Sequence, residues 1–221
     1  FNMKKKNLLL LCMLGCSAIS QAAYQGRVYV DTNRNGQYDK GEKLLKNVCV
    51  SDGLNVVKTA ADGTFSLPGF KNERFIFITT PSGYQTDNKH YQRITGSECS
   101  YDFGVQPLQG YIAPDGSHQY LHIADTEIFN TINQEDWANE MRDLAANEKV
   151  AFMVHTGDIC YENGLKNHIK LMNTSNMGCP VFYCLGNHDL VKGKYGEELF
   201  ESIYGPVYYS FDFGSTHYVV T

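Results

Sequence analysis

The stretch Val181-Phe-Tyr-Cys-Leu-Gly-Asn-His-Asp189 decides how the second half of the chain folds. Its first five residues are mostly apolar and bulky, which is typical of a strand that is buried on both faces of a parallel sheet. The strand then ends at a glycine, and Asn187, His188 and Asp189 follow directly. Because parallel sheets carry their chemistry in the loops beyond the carboxyl ends of the strands, the stretch predicts a functional site.

Two stretches further upstream have the same form. Val150-Ala-Phe-Met-Val-His-Thr-Gly-Asp158 is an apolar run that ends in Gly-Asp, and Tyr120-Leu-His-Ile-Ala-Asp-Thr-Glu127 ends in two acids. Asp125 and Glu127 are separated by one residue, so on a strand their side chains would share a face. We expect both acids, together with Asp158 and Asn187, to emerge at one edge of a sheet.

The segments between these strands predict helices. Apolar residues recur with helical spacing in residues 134–147, with Asn133 as the predicted N-cap, and again from Leu165 to Met172. Alternating strands and helices predict a parallel sheet with right-handed crossovers. A short helix over 197–203 and two strands, 208–213 and 217–220, complete the predicted order.

The residue types at this edge suit a pair of divalent metal ions. Two hard ions about 4 Å apart need a shared carboxylate, which Asp158 is placed to supply, and oxygen donors around it. Asn187 offers a neutral oxygen, His188 a proton, and Asp189 a partner that orients the imidazole ring. Taken alone, each motif has a simpler explanation as a turn, and only their combination indicates a site.

Two further histidines, His122 and His155, lie inside apolar runs. We interpret them as core residues or as supports of ligands rather than as metal ligands.

These motifs resemble those of the calcineurin-like metallophosphoesterase superfamily. Gly157-Asp158 and Gly186-Asn187-His188-Asp189 match two of its blocks. The resemblance implies two divalent ions, of Mn, Fe, Zn or Mg, one held by Asp125 and Asp158 and the other by Asp158 and Asn187. It also implies that His188 stabilises or protonates the transition state, and that this half is an α/β domain with an incomplete four-layer α/β/β/α architecture.

The chain departs from the pattern of this superfamily in two ways. Glu127 stands where the superfamily usually has a histidine ligand, which would favour a harder ion such as Mn²⁺ or Mg²⁺, unless Glu127 only hydrogen-bonds a metal-bound water. The chain also stops at Thr221, before the later histidine motifs of the superfamily. We therefore expect a C-terminally truncated domain over 113–221 that is inactive by itself.

In the first half of the chain, residues 24–108, apolar and polar residues alternate as they do in an all-β domain. Short β-rich runs are separated by Asp52-Gly53 and Asp62-Gly63, which are typical of hairpin turns. This pattern predicts a small β-sandwich. The half resembles the N-terminal domain of secreted bacterial calcineurin-like phosphoesterases, on segments such as Val50–Val57, Asp62–Phe65, Pro81–Tyr84 and Tyr101–Phe103.

One loop of this half, residues 31–42, has the spacing of an EF-hand calcium loop. Oxygen-bearing side chains stand at the ligand positions and Gly36 at position 6, although a strand, not a helix, leads into the loop. The alternative is an ordinary polar turn, because turns use the same residues. The predicted calcium ligands are Asp31, Asn33, Asn35, Gln37, Asp39 and Glu42.

The N-terminus has the form of a secretory signal peptide. Three lysines, an apolar run and a small-x-small site at Ser20-Gln-Ala22 predict cleavage after residue 22, hence a secreted or periplasmic protein without a transmembrane segment. An alternative is a lipid anchor at Cys16. Cleavage removes three of the 19 basic residues from a chain whose net charge is already −5, so nucleic-acid binding is not indicated.

The resemblance carried by these motifs implies a metal-dependent phosphoester hydrolase. Its substrate would be a phosphorylated small molecule or a glycan- or lipid-type phosphoester, either a monoester or a diester. The main alternative is a non-catalytic, calcium-stabilised surface module with a degenerate phosphoesterase half. A third reading is a metal-dependent binder of glycans.

Overall fold

The computed structural model describes residues 24–96, 100–132 and 134–221. The predicted signal peptide, the predicted anchor at Cys16 and the predicted helix cap at Asn133 lie outside these residues. A β-rich domain comes first in the chain and a mixed α/β domain follows it.

The described residues of the β-rich domain form eight strands in two four-stranded sheets. The strands are β1 (Tyr24–Val30), β2 (Cys49–Ser51), β3 (Val56–Lys58), β4 (Thr64–Leu67), β5 (Phe75–Ile78), β6 (Tyr84–Gln85), β7 (Tyr91–Arg93) and β8 (Phe103–Pro107). One sheet has the order β4-β1-β8-β6 and the other β3-β2-β5-β7. The pair β1 and β8 is parallel, and the other pairs are antiparallel.

Apolar side chains from both sheets meet in one core. Val28 and Phe103 come from the first sheet, and Val50 and Ile76 from the second, and all four are buried. The predicted Asp-Gly turns are present, and Gly53 and Gly63 both have positive φ angles. The sequence did not predict the two short strands β6 and β7, which contain too few alternating apolar residues to stand out.

The α/β domain is built on three parallel strands. They are β9 (Tyr120–Ile123), β10 (Phe152–His155) and β11 (Val181–Tyr183), in the sheet order β11-β10-β9. Four helices accompany them: α1 (Glu135–Asn147), α2 (Tyr161–Leu171), α3 (Thr174–Met177) and α4 (Glu198–Tyr204). The strands β12 (Tyr209–Phe213) and β13 (Thr216–Val220) form an antiparallel hairpin.

Successive side chains of the parallel strands enter two different cores. Met153 and Val181 pack in the core that contains residues of all four helices. Phe152 and Phe182 pack on the opposite face, where Phe211 of β12 stacks on Phe182 with ring centroids 3.5 Å apart. The two-residue period of a strand explains why these runs contain no polar face: both faces are covered.

The two domains contact each other through polar and aromatic groups. The guanidinium of Arg74 lies 2.9 Å from a carboxylate oxygen of Glu201, which is in α4, and 2.9 Å from one of Glu197, which directly precedes α4. The hydroxyls of Thr79 and Ser210 are 2.8 Å apart, and Nδ2 of Asn88 donates to the carbonyl of Val181. The α/β domain therefore rests against the sheet that contains β5 and β7.

One predicted feature of β9 is wrong. The strand ends at Ile123, so Asp125 and Glu127 are loop residues and do not share a strand face. Both have left-handed backbone angles, with φ values of 52° and 45°. The alternation argument fails here because it holds only while the backbone stays extended.

Candidate metal centre

Three loops meet at the carboxyl edge of the parallel sheet. The N–H of Asp125 donates to the carbonyl of Gly157 at 3.3 Å, which joins the loops after β9 and β10. The N–H of His188 donates to Oδ1 of Asp158 at 3.0 Å, which joins the loops after β10 and β11. The Asp158 loop therefore lies between the other two, as its predicted bridging position requires.

Two glycines allow these loops to approach so closely. Gly157 has a φ of +106°, and a Cβ there would lie 2.7 Å from the Cα of Gly186. A Cβ on Gly186 would lie 2.1 Å from the backbone nitrogen of Asp158. Real Cβ atoms do not approach other atoms this closely, so the Gly-Asp and Gly-Asn motifs depend on each other sterically.

The backbone around the site is strained at five non-glycine residues. They have positive φ angles between 45° and 75° and are Asp125, Glu127, Asp158, Cys160 and Tyr161. Such conformations are unfavourable for L-residues and persist only when the surrounding structure enforces them. They are concentrated at functional sites. Strain at three of the four predicted metal ligands thus marks the same place as the motifs.

The buried imidazole of His155 positions two of the loops. Its Nδ1 accepts the N–H of Gly157 at 3.3 Å, so the neutral ring carries its proton on Nε2 and donates it to Oγ1 of Thr126 at 3.0 Å. Burial lowers the pKa of His155 to about 4, which keeps the ring neutral at physiological pH. His155 thus supports the loops, as the sequence predicted. His122 is exposed and bonds Oγ1 of Thr156, so it is not a core residue.

Asp189 is fully buried beneath the site. Its Oδ1 accepts the N–H of Cys160 at 2.8 Å, and its Oδ2 accepts the N–H of Gly186 at 2.9 Å. Burial is the main reason that the pKa of Asp189 is raised above its usual value. The carboxylate holds two loop backbones together, and its hydrogen bonds do not run to the ring of His188.

The ring of His188 lies at the surface of the site and contacts two residues of the Asp158 loop. It stacks on Tyr161, with ring centroids 5.5 Å apart and an angle of 15° between the planes. Its Nδ1 lies 3.7 Å from Sγ of Cys160. This places the predicted proton donor over the loop that contains Asp158.

Cys160 is a site residue to which none of the sequence motifs points. Its Sγ lies 3.5 Å from Oε1 of Glu127. In the part of the chain that the structure describes, Glu127, Cys160 and His188 are the one group of three or more His, Cys, Asp or Glu whose ligand atoms lie within 4.8 Å of one another. Burial, with the nearby Glu127 carboxylate, raises the pKa of the Cys160 thiol to about 12. No spacing motif marks such a residue in the sequence.

The predicted calcium loop turns its carboxylates inward. Asp31, which is 2% exposed, accepts the N–H groups of Asn35 and Gly36, and Glu42 accepts the N–H groups of Thr32 and Asp39. Asp31 and Glu42, at the first and last positions of the loop, therefore both face the interior of the loop.

The remaining predicted calcium ligands bond within the same loop. The side-chain amides of Asn33 and Asn35 donate to Oδ2 of Asp39, and the N–H of Gln37 donates to Oδ1 of Asn35. These bonds also suit an ordinary polar turn, so both interpretations of the loop stay open.

Comparisons with known proteins match both halves of the chain. A family described as the N terminal of calcineurin-like phosphoesterase matches residues 32–108, and the family calcineurin-like phosphoesterase matches residues 118–219. Purple acid phosphatase 4 of Arabidopsis thaliana is 31% identical over 34% of this chain. That match spans 25% of the length of the plant protein, and no solved structure matches the chain.

Among the described residues, no helix is both long enough and apolar enough to cross a membrane.

Proposed function

Because the chain belongs to the calcineurin-like metallophosphoesterase superfamily, we propose that it forms part of a metal-dependent phosphoester hydrolase with a dinuclear metal centre. The observation that carries this proposal is the meeting of three loops around Asp158. The carboxylate of Asp158 reaches the loop of Asn187 and His188, and the backbone of its own loop reaches that of Asp125.

The residues at this edge fit a pair of divalent cations. Asp125 and Asp158 would hold one ion, and Asp158 and Asn187 the other, with Glu127 as a further oxygen donor. This set is rich in carboxylate and amide oxygens, which suits hard ions such as Mn²⁺ and Mg²⁺. Bound metal ions would polarise the phosphoryl oxygens and lower the pKa of the attacking water.

The other side chains of the site would orient the substrate and move a proton. His188 is exposed at the mouth of the site, where its imidazole can reach the oxygen that leaves phosphorus. Tyr161 lies against one face of that ring and limits its rotation. Asp189 would act on His188 through the backbone, because it ties Gly186 to Cys160.

We assign the substrate to phosphorylated small molecules or to glycan- or lipid-type phosphoesters. The site is an open edge with three loops and exposed donors, so it admits the end of a larger ester. The predicted signal peptide favours action in a secreted or periplasmic location.

The loop 31–42 adds a third, structural ion to this proposal. Asp31, Asp39 and Glu42 supply carboxylates whose hydrogen-bond donors lie in the same loop, backbone N–H groups for Asp31 and Glu42 and side-chain amides for Asp39. We propose that Ca²⁺ binds there and stabilises the β-rich domain. A calcium-stabilised, non-catalytic module remains the alternative function, and Glu127 in place of a histidine is the residue that favours it.

The test is hydrolysis of an aryl phosphate monoester and of a diester by the natural protein that contains residues 24–221. After chelation we expect no turnover, and we expect Mn²⁺ or Mg²⁺ to restore it. Asp158→Asn retains an oxygen that can accept the N–H of His188 but removes the charge. It should lower turnover by more than the roughly 10–100-fold typical of outer partners of metal ligands.

The matched control is Asp143→Asn, which changes an exposed acid that pairs with Arg142 on α1. It should leave turnover unchanged. Turnover that persists after exhaustive chelation, or that survives in Asp158→Asn, would contradict the proposal.

A further inference from the structure

Glu127, Cys160 and His188 present three different kinds of metal ligand to one point. The distance from Sγ of Cys160 to Oε1 of Glu127 is 3.5 Å, and the distance from Sγ to Nδ1 of His188 is 3.7 Å. All three ligand atoms lie within 4.8 Å of one another. Asp125, Asp158 and Asn187, which would hold the two ions of the dinuclear centre, are not members of this group, and Glu127 is shared between the two sets.

These distances agree with the edges of a zinc tetrahedron. With Zn–S near 2.3 Å and Zn–O or Zn–N near 2.1 Å, tetrahedral angles place sulfur about 3.6 Å from each of the other two donors. The two measured separations differ from that value by about 0.1 Å. A cation could therefore bind the sulfur and either partner with little movement of the side chains, and the remaining pair, Glu127 and His188, is within 4.8 Å.

The local backbone holds the thiol at this point. Cys160 is fully buried and has a φ of 75°, and its N–H is bonded to Asp189. Glu127, with a φ of 45°, faces it from the loop after β9. Two strained residues on separate loops thus converge on His188, whose own backbone is tied to Asp158.

We propose that Glu127, Cys160 and His188 form a binding site for a thiophilic divalent cation of the Zn²⁺ type, which shares only Glu127 with the dinuclear centre. The ion would take the place of the thiol proton, which is released to solvent, and would bind sulfur, oxygen and nitrogen, with a fourth position open to water. Thiolate and imidazole select zinc over Mg²⁺ and Mn²⁺.

Occupancy of this site would regulate the phosphoesterase. An ion that binds Nδ1 of His188 fixes the orientation of the ring, and it competes with the dinuclear centre for Glu127. Zinc would therefore oppose activation by the harder ions. This consequence rests on the function proposed above, whereas the site itself does not.

The experiment is a titration of the complete chain with Co²⁺, which replaces Zn²⁺ and reports a thiolate ligand through a sulfur-to-cobalt charge-transfer band. We expect the band in the wild-type chain and expect added Zn²⁺ to abolish it. Cys160→Ser should lose the band, and Cys49→Ser, which changes a half-buried thiol of β2, should keep it. Glu127→Gln alters an exposed side chain and should weaken the cobalt affinity measured from this band by at least about tenfold.

Circular dichroism shows whether each variant is folded. If Cys160→Ser does not fold, the result for Glu127→Gln tests the proposal. Cobalt bound to the wild-type chain without a charge-transfer band would overturn the proposal. So would a band that survives in Cys160→Ser, or an affinity unchanged in Glu127→Gln. Because the readout needs no turnover, the band tests this site even in a protein that hydrolyses no phosphoester.

Discussion

Gly186 and Asp158 lie so close together that a Cβ on the glycine would stand 2.1 Å from the backbone nitrogen of the aspartate and 2.3 Å from its Oδ1. Gly186 has a φ of −102° and a ψ of 170°, an extended conformation that any residue adopts. The requirement for glycine is therefore steric and not conformational. It couples the placement of the Asp158 carboxylate to the loop that carries Asn187.

Replacing Gly186 by alanine should separate these two loops. The added methyl group cannot be accommodated without a backbone shift, so we expect a loss of stability of about 2 kcal/mol, typical of overpacking. The binding of Mn²⁺ should weaken by more than tenfold. Urea denaturation and calorimetric titration measure the two effects.

Gly83→Ala is the matched control, because nothing lies within 4 Å of its Cβ position. Its φ of +83° should cost about 1 kcal/mol of stability and leave metal binding unchanged. Equal metal affinity in Gly186→Ala and wild type would show that the contact does not shape the site.

The ion pairs of Arg74 provide a second prediction, at the contact between the domains. Arg74 bonds Glu201, whose side chain is 1% exposed, and Glu197. Arg74→Met leaves the buried Glu201 without its cation. Because Arg74 itself is 45% exposed, we expect a loss of about 2 kcal/mol, below the value for a fully buried pair.

A double variant separates this charge effect from lost packing. Glu201→Gln removes the unpaired charge, so Arg74→Met combined with Glu201→Gln should recover part of the stability. The exposed pair of Arg142 and Asp143 is the control, and Arg142→Met should cost less than about 1 kcal/mol. Unfolding free energies from denaturant curves give the comparison, and strictly additive losses would refute the coupling.

Much of the α/β domain could be predicted from hydrophobic patterning. Its parallel strands read as continuous apolar runs because helices cover one face and the β12–β13 hairpin covers the other. The start of α1 at Glu135 lies one residue from the predicted start. These elements have long, regular patterns that local sequence specifies.

The geometry of the site could not be read from the same patterns. The left-handed backbone at Asp125 and Glu127 is imposed by neighbouring loops, and the residue types at those positions do not predict it. Cys160 reaches Glu127 and His188 only after three separate strands have aligned. The motifs predicted which residues would gather, but tertiary contacts determine how their side chains face one another.

The pH dependence of stability gives a third prediction, from His90. Its side chain is buried between the domains against Tyr209, with ring centroids 4.7 Å apart, and it also contacts Tyr91, with ring centroids 5.2 Å apart. Burial alone lowers the pKa of His90 to about 4 from 6.5. Between these values the unfolded chain binds a proton that the folded chain excludes, so stability falls as the pH drops from 6.5 to 4.

His90→Phe removes this titration. Near pH 7.5 we expect the variant to match the wild type within about 1 kcal/mol, since phenylalanine can stack on Tyr209 in the same way. At pH 5 the stability of the variant relative to the wild type should be about 2 kcal/mol higher than it is at pH 7.5. Denaturation at a series of pH values makes the measurement, and parallel pH profiles for the two proteins would disprove the assignment.

The last prediction concerns calcium and the loop 31–42. Asp31 and Glu42, at the first and last positions, face the interior of this loop and are held there by backbone N–H groups. Three carboxylates around a small loop repel one another unless a cation lies between them, so Ca²⁺ should bind the folded loop in preference to the unfolded chain. A ligand of that kind stabilises by about 2.7 kcal/mol at a hundred times its dissociation constant.

We therefore expect the melting temperature of the complete chain to rise in millimolar Ca²⁺ and to rise much less in Mg²⁺, which accepts this flexible geometry poorly. Glu42→Gln should abolish the calcium effect, because it removes the bidentate carboxylate at position 12. Asp115→Asn, in an exposed turn where Asp115 bonds only Ser117, should retain it. A wild-type melting temperature that does not change with calcium would show that the loop is a polar turn. The same inward hydrogen bonds satisfy its backbone without an ion.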